Sequence, residues 1–496
     1  MSEAEHRPVI VGVGQVNDRP EVAGEGCDSL ELMEAALRLA DRDAGGGWLS
    51  RLDRVATVDQ ISFPDLVGIA DLLATRIGAT GAVRETTELP HGDSPVRLLN
   101  EAANRIAAGE ERAAAIVGAE ALRTAAARNR AAGARPGDIL RGNPKRSVAP
   151  YRAAFGLTAP VDLYPIYENA CRHAWGQTLA EGQAETGVIW SGMAEVAART
   201  EAAWLRKGAS AEEVVTPGPA NRPIAHPYTK LMVANASVNQ GAGFIVTSEA
   251  EALRRGVAPE RMVHVGYGAG AKEPAEFLDR EGYTRSVSME EVLKATLEFN
   301  GIEAGALDHV ELYSCFPCVP KLARRVLGWP ADRAVTVFGG LTFGGAPVAN
   351  YMSHALACMV DVLRGTGETG LLYGNGGIVT TNHAIVLSGQ RLAGWNGPKS
   401  PDVQARADAR RGPAPGVDED HEGPVSVESW TVRYDREGGP ARAVIVARTE
   451  AGKRTLAEVP VSEDTVVTRL TDGSFDPIGT AGVITVRDGL RRFAFT

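Results

Sequence analysis

Residues 336–388 read TVFGGLTFGGAPVANYMSHALACMVDVLRGTGETGLLYGNGGIVTTNHAIVLS, and the fold is decided here. A strand-like TVF leads into a turn dense in small residues (Gly339, Gly340, Gly344, Gly345, Pro347). A helical run follows, and then an apolar strand, GLLYGN, breaks on Gly376 and Gly377. Glycines let the backbone approach a ligand and take positive φ. A helix beginning at such a turn aims unpaired N–H groups and partial positive charge forward, which suits an anion or oxyanion.

The same plan occurs earlier in ELPHGDSPVRLLNEAANRIAAGEERAAAIVGAEALRTA, with a turn at Gly92, a helix, a second turn and an apolar strand. The helix ends RIAAGEER and DVLRGTGETG correspond, as do the strands AAAIVGAEA and GLLYGNGG. Two halves on one plan predict an internal duplication.

The paired halves, the turn GGLTFGGAP, the strand LLYGNGG and the segment VELYSCFP together resemble the thiolase superfamily, most closely its thiolase-like proteins related to the sterol-carrier-protein-linked thiolases. The likeness runs from about Pro8 to Ser388. It implies an α/β chain with the duplicated five-layer α/β/α/β/α thiolase fold and acyl-CoA chemistry where the halves meet. Family thiolases use a nucleophilic cysteine at a helix N-terminus, a second cysteine that moves the proton, and a His with an Asn or His that binds the thioester oxygen. Only a thiolate is nucleophilic enough near neutral pH, and a helix N-terminus lowers its pKa.

The chain departs from that pattern at every one of these positions. Gly92 stands at the nucleophile position, Ala346 at the His of the family's GHP, Tyr373 at the second cysteine, and Tyr313 at the head of the NEAF or HDCF motif. Loss of one member of a covalent machinery can cost on the order of a million-fold in turnover, so acetyltransferase catalysis of the thiolase kind is not supported. The resemblance leaves the N–H groups of Gly92 and Asn375 where the family forms an oxyanion hole, and such donors act on charge developing in the transition state. Tyr313 is read as a neutral hydrogen-bond donor, since a phenol near pKa 10 needs a drop of roughly three units to act as a base. Related thiolase-like aldolases carry Tyr at the head of this motif, which implies retro-aldol chemistry; Ala346 lacks the second tyrosine expected there. Two functions follow: non-covalent carbon–carbon bond chemistry on an acyl-CoA, or a non-catalytic acyl-CoA or acyl-carrier binding protein or scaffold.

Other residues carry weaker signals. Asp93 and Ser94 before Pro95 read as an N-cap with proline at the helix start, and His91 or Asp93 could do proton chemistry beside Gly92. Arg222 and Lys230, with His226 and Tyr228 in NRPIAHPYTKLM, could meet CoA phosphates. Asn350 could cap its helix or touch ligand; His354 and His383 read as packed histidines. Cys315 and Cys318 form a lone CxxC, and tetrahedral zinc would need two more ligands. No tightly bound cofactor is expected, coenzyme A being part of the substrate. GVG in the first strand, PVIVGVGQV, is no dinucleotide fingerprint, because its third glycine would fall at Asn17.

Composition bounds the rest. With 496 residues, 44% hydrophobic and 23% charged, the chain is ordinary for a globular protein with a large core. A net charge of −10 argues against nucleic-acid binding. No apolar run suits a signal peptide or a membrane span. With five scattered cysteines, a cytoplasmic protein in a reducing compartment is expected. Family thiolases are at least dimers, so a homodimer or a protein partner is implied. The domain reading is 1–121 as the N-terminal half, 122–230 as a helical insertion with breaks at ARPGDI and TPGPANRP, and 231–258 as the end of that half. Residues 259–389 form the C-terminal half, 390–424 a linker, and 425–496 a small all-β domain resembling the OB-like domain of thiolase-like proteins.

Overall fold

The computed structural model describes residues 6–133 and 148–496. The N-terminal half supplies β1 (Pro8–Asn17), β2 (Arg54–Thr57), β3 (Val83–Thr86) and β4 (Ala113–Ala121), in that chain order. A short hairpin, β5 (Pro223–Ala225) and β6 (Tyr228–Thr229), precedes β7 (Asn239–Ser248), which returns to the sheet. The C-terminal half adds β8 (Val263–Lys272), β9 (His309–Leu312), β10 (Thr369–Gly376) and β11 (Thr381–Ser388).

The strand order runs β3-β2-β4-β7-β1 and continues β8-β11-β10-β9. In the first half β2 and β4 are parallel while β4–β7 and β7–β1 are antiparallel. The second half repeats this, with β9–β10 parallel and β10–β11 and β11–β8 antiparallel. Even the irregularity is copied: the register slips near Ile10 in one half and near Ile385 in the other. The halves join edge to edge where Val9 pairs with His264 and Ile10 with Val263.

Two central helices, Ser94–Ala107 and Tyr351–Leu363, each touch strands of both halves and each other. Outer helices Ser29–Asp43 and Val287–Asn300 cover the far faces, which gives five layers. Buried on both faces, β4, β7 and β11 have every residue buried, and their sequences accordingly read as nearly continuous apolar or small-residue runs.

The all-β domain is a closed barrel of β12 (Gly423–Tyr434), β13 (Pro440–Thr449), β14 (Arg454–Val459), β15 (Ala481–Arg487) and β16 (Leu490–Phe495). Around the barrel the order is β12-β13-β14-β16-β15 and back to β12. The β14–β16 contact is parallel, and a helix, Asp464–Thr471, lies between the third and fourth strands. The barrel is not an isolated appendage. β12 also pairs with β5 at Arg433 and Ala225, so the hairpin of the insertion extends its sheet.

The structure differs from the sequence reading in several places. TVF forms no strand: the Thr336 hydroxyl accepts N–H groups from Phe338, Gly339 and Gly340, which curls the segment into the turn. The helix after that turn begins only at Tyr351, so the glycines do not form its N-terminus. Residues 390–424 hold a helix, Gln404–Arg410, packed on the outer helix Val287–Asn300, rather than linker alone. The break ARPGDI, residues 134–139, lies outside the described residues.

Candidate functional site

The site forms where the turn before Ser94–Ala107 meets the ends of β9 and β10. Gly92 is packed so closely that a Cβ there would stand 2.2 Å from both the Tyr313 hydroxyl and the Asn375 carbonyl oxygen. The place that a side chain at 92 would take is thus filled by a phenol and a carbonyl. Tyr313 follows β9, and its N–H donates to the Tyr373 carbonyl at 3.1 Å. Its ring meets Tyr351 edge-on, with centroids 5.9 Å apart. The Tyr351 hydroxyl donates to Glu311 at 2.7 Å. Glu311 also accepts from Thr336 Oγ1 and Val337 N, yet burial pushes its carboxyl up to about 7.

On the other side of Gly92, His91 and Asp93 converge on Thr381 at the start of β11. His91 Nδ1 lies 3.0 Å from Thr381 Oγ1, and that hydroxyl donates to Asp93 Oδ1 at 2.6 Å. Burial raises the Asp93 carboxyl above its ordinary range, against the Thr381 hydrogen bond and the charges of His91 and Arg97. Asp93 therefore does not cap its helix as the sequence suggested; its side chain makes no cap bond because Thr381 claims it. Glycine at 376 is required by this cluster, since a Cβ would lie 2.5 Å from Thr381 Oγ1 and 2.7 Å from His91 Cβ.

Tyr373 is fully buried on β10, and its hydroxyl donates to Asn382 Oδ1 at 2.6 Å. Asn375 is nearly inaccessible, and its Nδ2 has no partner among the described residues. Above it lies Tyr164, from the insertion helix Pro160–Ala174, whose hydroxyl donates to the Gly377 carbonyl at 3.2 Å and accepts the Val379 N–H at 3.2 Å. Val379 is held at φ 53, a conformation a β-branched residue keeps only when its surroundings impose it.

Tyr164 stacks on Phe316 with centroids 4.5 Å apart, and Tyr228 tilts onto the same ring at 5.5 Å. Below the ring stack, Lys321 and Glu168 form a buried ion pair of 2.7 Å, with Tyr228 donating to the second Glu168 oxygen. The barrel holds this covering helix from behind: Ser429 Oγ donates to the Ile166 carbonyl, Asn169 Nδ2 to the Trp430 carbonyl, and Arg433 pairs with Asp162.

The remaining expected residues are placed differently. Asn350 is buried, donates to the Gly118 carbonyl and accepts from Ser353, so it pins the second central helix to β4 and caps nothing. Ala346 is buried, its N–H on the Asn235 carbonyl. Arg222 donates to the Pro223 and Asp435 carbonyls beside the barrel, and Lys230 is exposed. His354 stacks on Phe338 and meets Gln15; His383 meets Asn100. Burial pushes the Cys315 thiol up to about 12 and Cys318 well above the ordinary value, so neither is a poised thiolate. The structure thus gathers His91, Gly92, Tyr313, Tyr373 and Asn375 and leaves Arg222, Lys230 and Asn350 in other contacts. Thr381, Tyr164 and Glu311 were absent from the sequence reading. TTNH and VELY were both noted, but nothing local marked these residues.

Residues 402–489 match the family described as thiolase-like protein type 1 additional C-terminal domain. No curated protein matches. Among solved structures, a monomeric SCP2-thiolase like protein type 1 from Mycobacterium smegmatis is 29% identical, with a TM-score of 0.83 over 99% of each chain. An Ltp2-ChsH2(DUF35) aldolase is 19% identical, with a TM-score of 0.60 over 79% of this chain and 100% of that one, a likeness of fold alone. The duplicated halves, the coverage from end to end and the matched C-terminal barrel make the chain similar throughout its length to that thiolase-like protein of type 1, with the additional C-terminal domain matched at 402–489.

Proposed function

We propose that this protein acts on an acyl-CoA without a covalent acyl-enzyme, making or breaking a carbon–carbon bond beside the thioester carbonyl in the aldol or retro-aldol sense. The observation that carries the reading is the Tyr313 hydroxyl standing in the space of the missing side chain at Gly92. In the cleavage direction a base takes the β-hydroxyl proton, the Cα–Cβ bond breaks, and its electron pair becomes an enolate on the thioester oxygen. Tyr313 donates a hydrogen bond to that oxygen, and His91 takes the proton and later returns it to Cα. Preorganised donors of this kind stabilise charge that develops in the transition state. Since the M. smegmatis relative is monomeric, we take the working form of this chain to be a monomer. We read the barrel as OB-like on its strand order and assign it the role of clamping the covering helix. We place the protein in the cytoplasm; no described helix is long and apolar enough to cross a membrane.

A specific observation favours a second reading. The stack of Tyr164, Phe316 and Tyr228 packs over Asn375 and the Gly377 turn and is backed by a buried ion pair, which suits a binding or scaffold protein. Calorimetric titration with CoA, acetyl-CoA and a longer acyl-CoA separates the two. Binding that tightens with chain length, followed by cleavage of a β-hydroxyacyl-CoA that Tyr313→Phe abolishes, supports the lyase. Binding without cleavage leaves the binding protein, and no binding at millimolar ligand removes acyl-CoA from both.

A further inference from the structure

We infer that Thr381 is a positioning residue that couples the charge of Asp93 to the tautomer of His91 through a chain of two hydrogen bonds. The inference rests on His91 being the base of the proposed reaction, but its geometry stands independently. The Thr381 hydroxyl has one proton and lies between the two groups, 2.6 Å from Asp93 Oδ1 and 3.0 Å from His91 Nδ1. It can donate to only one of them and must accept from the other.

Two arrangements with a neutral imidazole balance. With Asp93 ionised, Thr381 donates to Asp93 and accepts from His91 Nδ1–H, which leaves the lone pair on His91 Nε2. In that state His91 can take a substrate proton at Nε2, and the imidazolium is stabilised by Thr381 and the carboxylate beyond it. With Asp93 neutral, its acid proton is donated to Thr381, Thr381 donates to Nδ1, and the ring proton moves to Nε2, where no base remains. One proton on Asp93 thus turns His91 from acceptor to donor.

The groups facing Asp93 are His91, the Thr381 hydroxyl, Arg97 and the Tyr373 phenol. Arg97 is itself paired with Glu101 at 2.7 Å, and the glycine backbone of β10 closes the remaining side, a Cβ at Gly374 falling 2.9 Å from Asp93 Cα. Burial holds the Asp93 carboxyl above its ordinary range, which moves the change of state toward neutral pH. The reactive form is the one at higher pH.

The test is long-range proton–nitrogen spectroscopy of the full chain labelled with ¹⁵N-histidine, with His91→Gln to assign the signal. On raising the pH, the pyrrole-like nitrogen of His91 should change from Nε2 to Nδ1. Thr381→Ser should keep the change and Thr381→Val should lose it. In a cleavage assay Thr381→Val should lower kcat/KM about tenfold or more with little change in KM, and flatten its rise with pH. A single unchanged His91 tautomer across the range in the natural protein overturns the inference, as does a Thr381→Val spectrum that still switches. A switching spectrum with no turnover on any acyl-CoA keeps the relay and removes the proposed reaction instead.

Discussion

The two central helices begin in opposite ways. Before Ser94–Ala107, glycines at 92, 374 and 376 make room for other side chains, so that Tyr313, His91, Asp93 and Thr381 close on one small volume. Before Tyr351–Leu363, Gly339, Gly340 and Gly345 make room for neighbours too, but they also hold the positive φ that the turn needs. The turn at 339–345 spends its polar groups on the protein itself: Leu341 N on Ser314 Oγ, the Phe343 carbonyl on Leu205 N, the Gly344 carbonyl on Trp204 N and Gln240 Nε2. The duplication was kept in strand order and register, while titratable side chains gather on one side and a turn whose polar groups bond to the protein itself stands on the other. Glycine content alone does not separate the two cases; backbone conformation does, since Gly339, Gly340 and Gly345 hold positive φ and Gly92, Gly374 and Gly376 do not.

The cover over the first side is bolted by Lys321–Glu168, which ties the C-half helix Cys318–Leu327 to the covering helix. Lys321→Met should cost about 3–5 kcal/mol, because it leaves a buried carboxylate without its cation. Adding Glu168→Gln should return part of that loss, as a coupled pair requires. Urea unfolding measures both, and a cost under about 1 kcal/mol would mean that water reaches the pair and the cover is loose.

On the same side Gly92→Ala should destabilise by about 3 kcal/mol, at the upper end of overpacking costs, since both obstructing atoms lie 2.2 Å from the new methyl. In a Tyr313→Ala background the same change should cost less, as the phenol has gone and only the Asn375 carbonyl remains. Gly340→Ala, in the second turn, meets the end of the flexible Met193 side chain at φ 68. It should cost about 1–2 kcal/mol, chiefly left-handed strain. Equal costs would remove the distinction between the two kinds of glycine.

How much of this was legible follows from where the partners lie. The repeat was visible because each half writes its own turn, helix and strand in one continuous stretch. Tyr313 and Gly92 were visible because the motifs carrying them keep their order. Thr381 and Asp93 are 288 residues apart, and Tyr164 is 213 residues from Gly377; neither pairing leaves a local pattern. The strand expected at TVF failed for a local reason that was present but ambiguous. Thr336 has the β-propensity of a strand residue, and equally a hydroxyl able to gather N–H groups downstream.

Each half also buries a carboxyl near the end of one of its parallel strands. Burial raises Glu120, at the end of β4, to about 8, and Glu311, at the end of β9, to about 7. The folded state of each holds its proton more tightly than the unfolded chain, whose carboxyls titrate near 4.5. Their stabilising effect is therefore complete below that value and is lost as pH rises through 7 for Glu311 and 8 for Glu120. Glu120→Gln and Glu311→Gln should each remove a loss on the order of a few kcal/mol, measured as unfolding free energy against pH. If only one does so, the halves differ in how dry their strand ends are.

The smallest effect falls where the halves should not differ. The outer helix of the first half starts on Asp28, which accepts from Glu31 N while Glu31 accepts from Asp28 N. That of the second half starts on Ser286, which accepts from Met289 N and also donates to Glu273. Loss of a cap costs about 1 kcal/mol, so Asp28→Ala and Ser286→Ala should match in midpoint shift if these layers are equivalent scaffolding. Ser286 has a second duty, since Glu273 collects Ser286, Ser288 and Arg411 around one buried carboxylate. A clearly larger loss at Ser286→Ala would show that the C-half outer layer is specialised too, and that the asymmetry of the two turns reaches through the sheet to its far face.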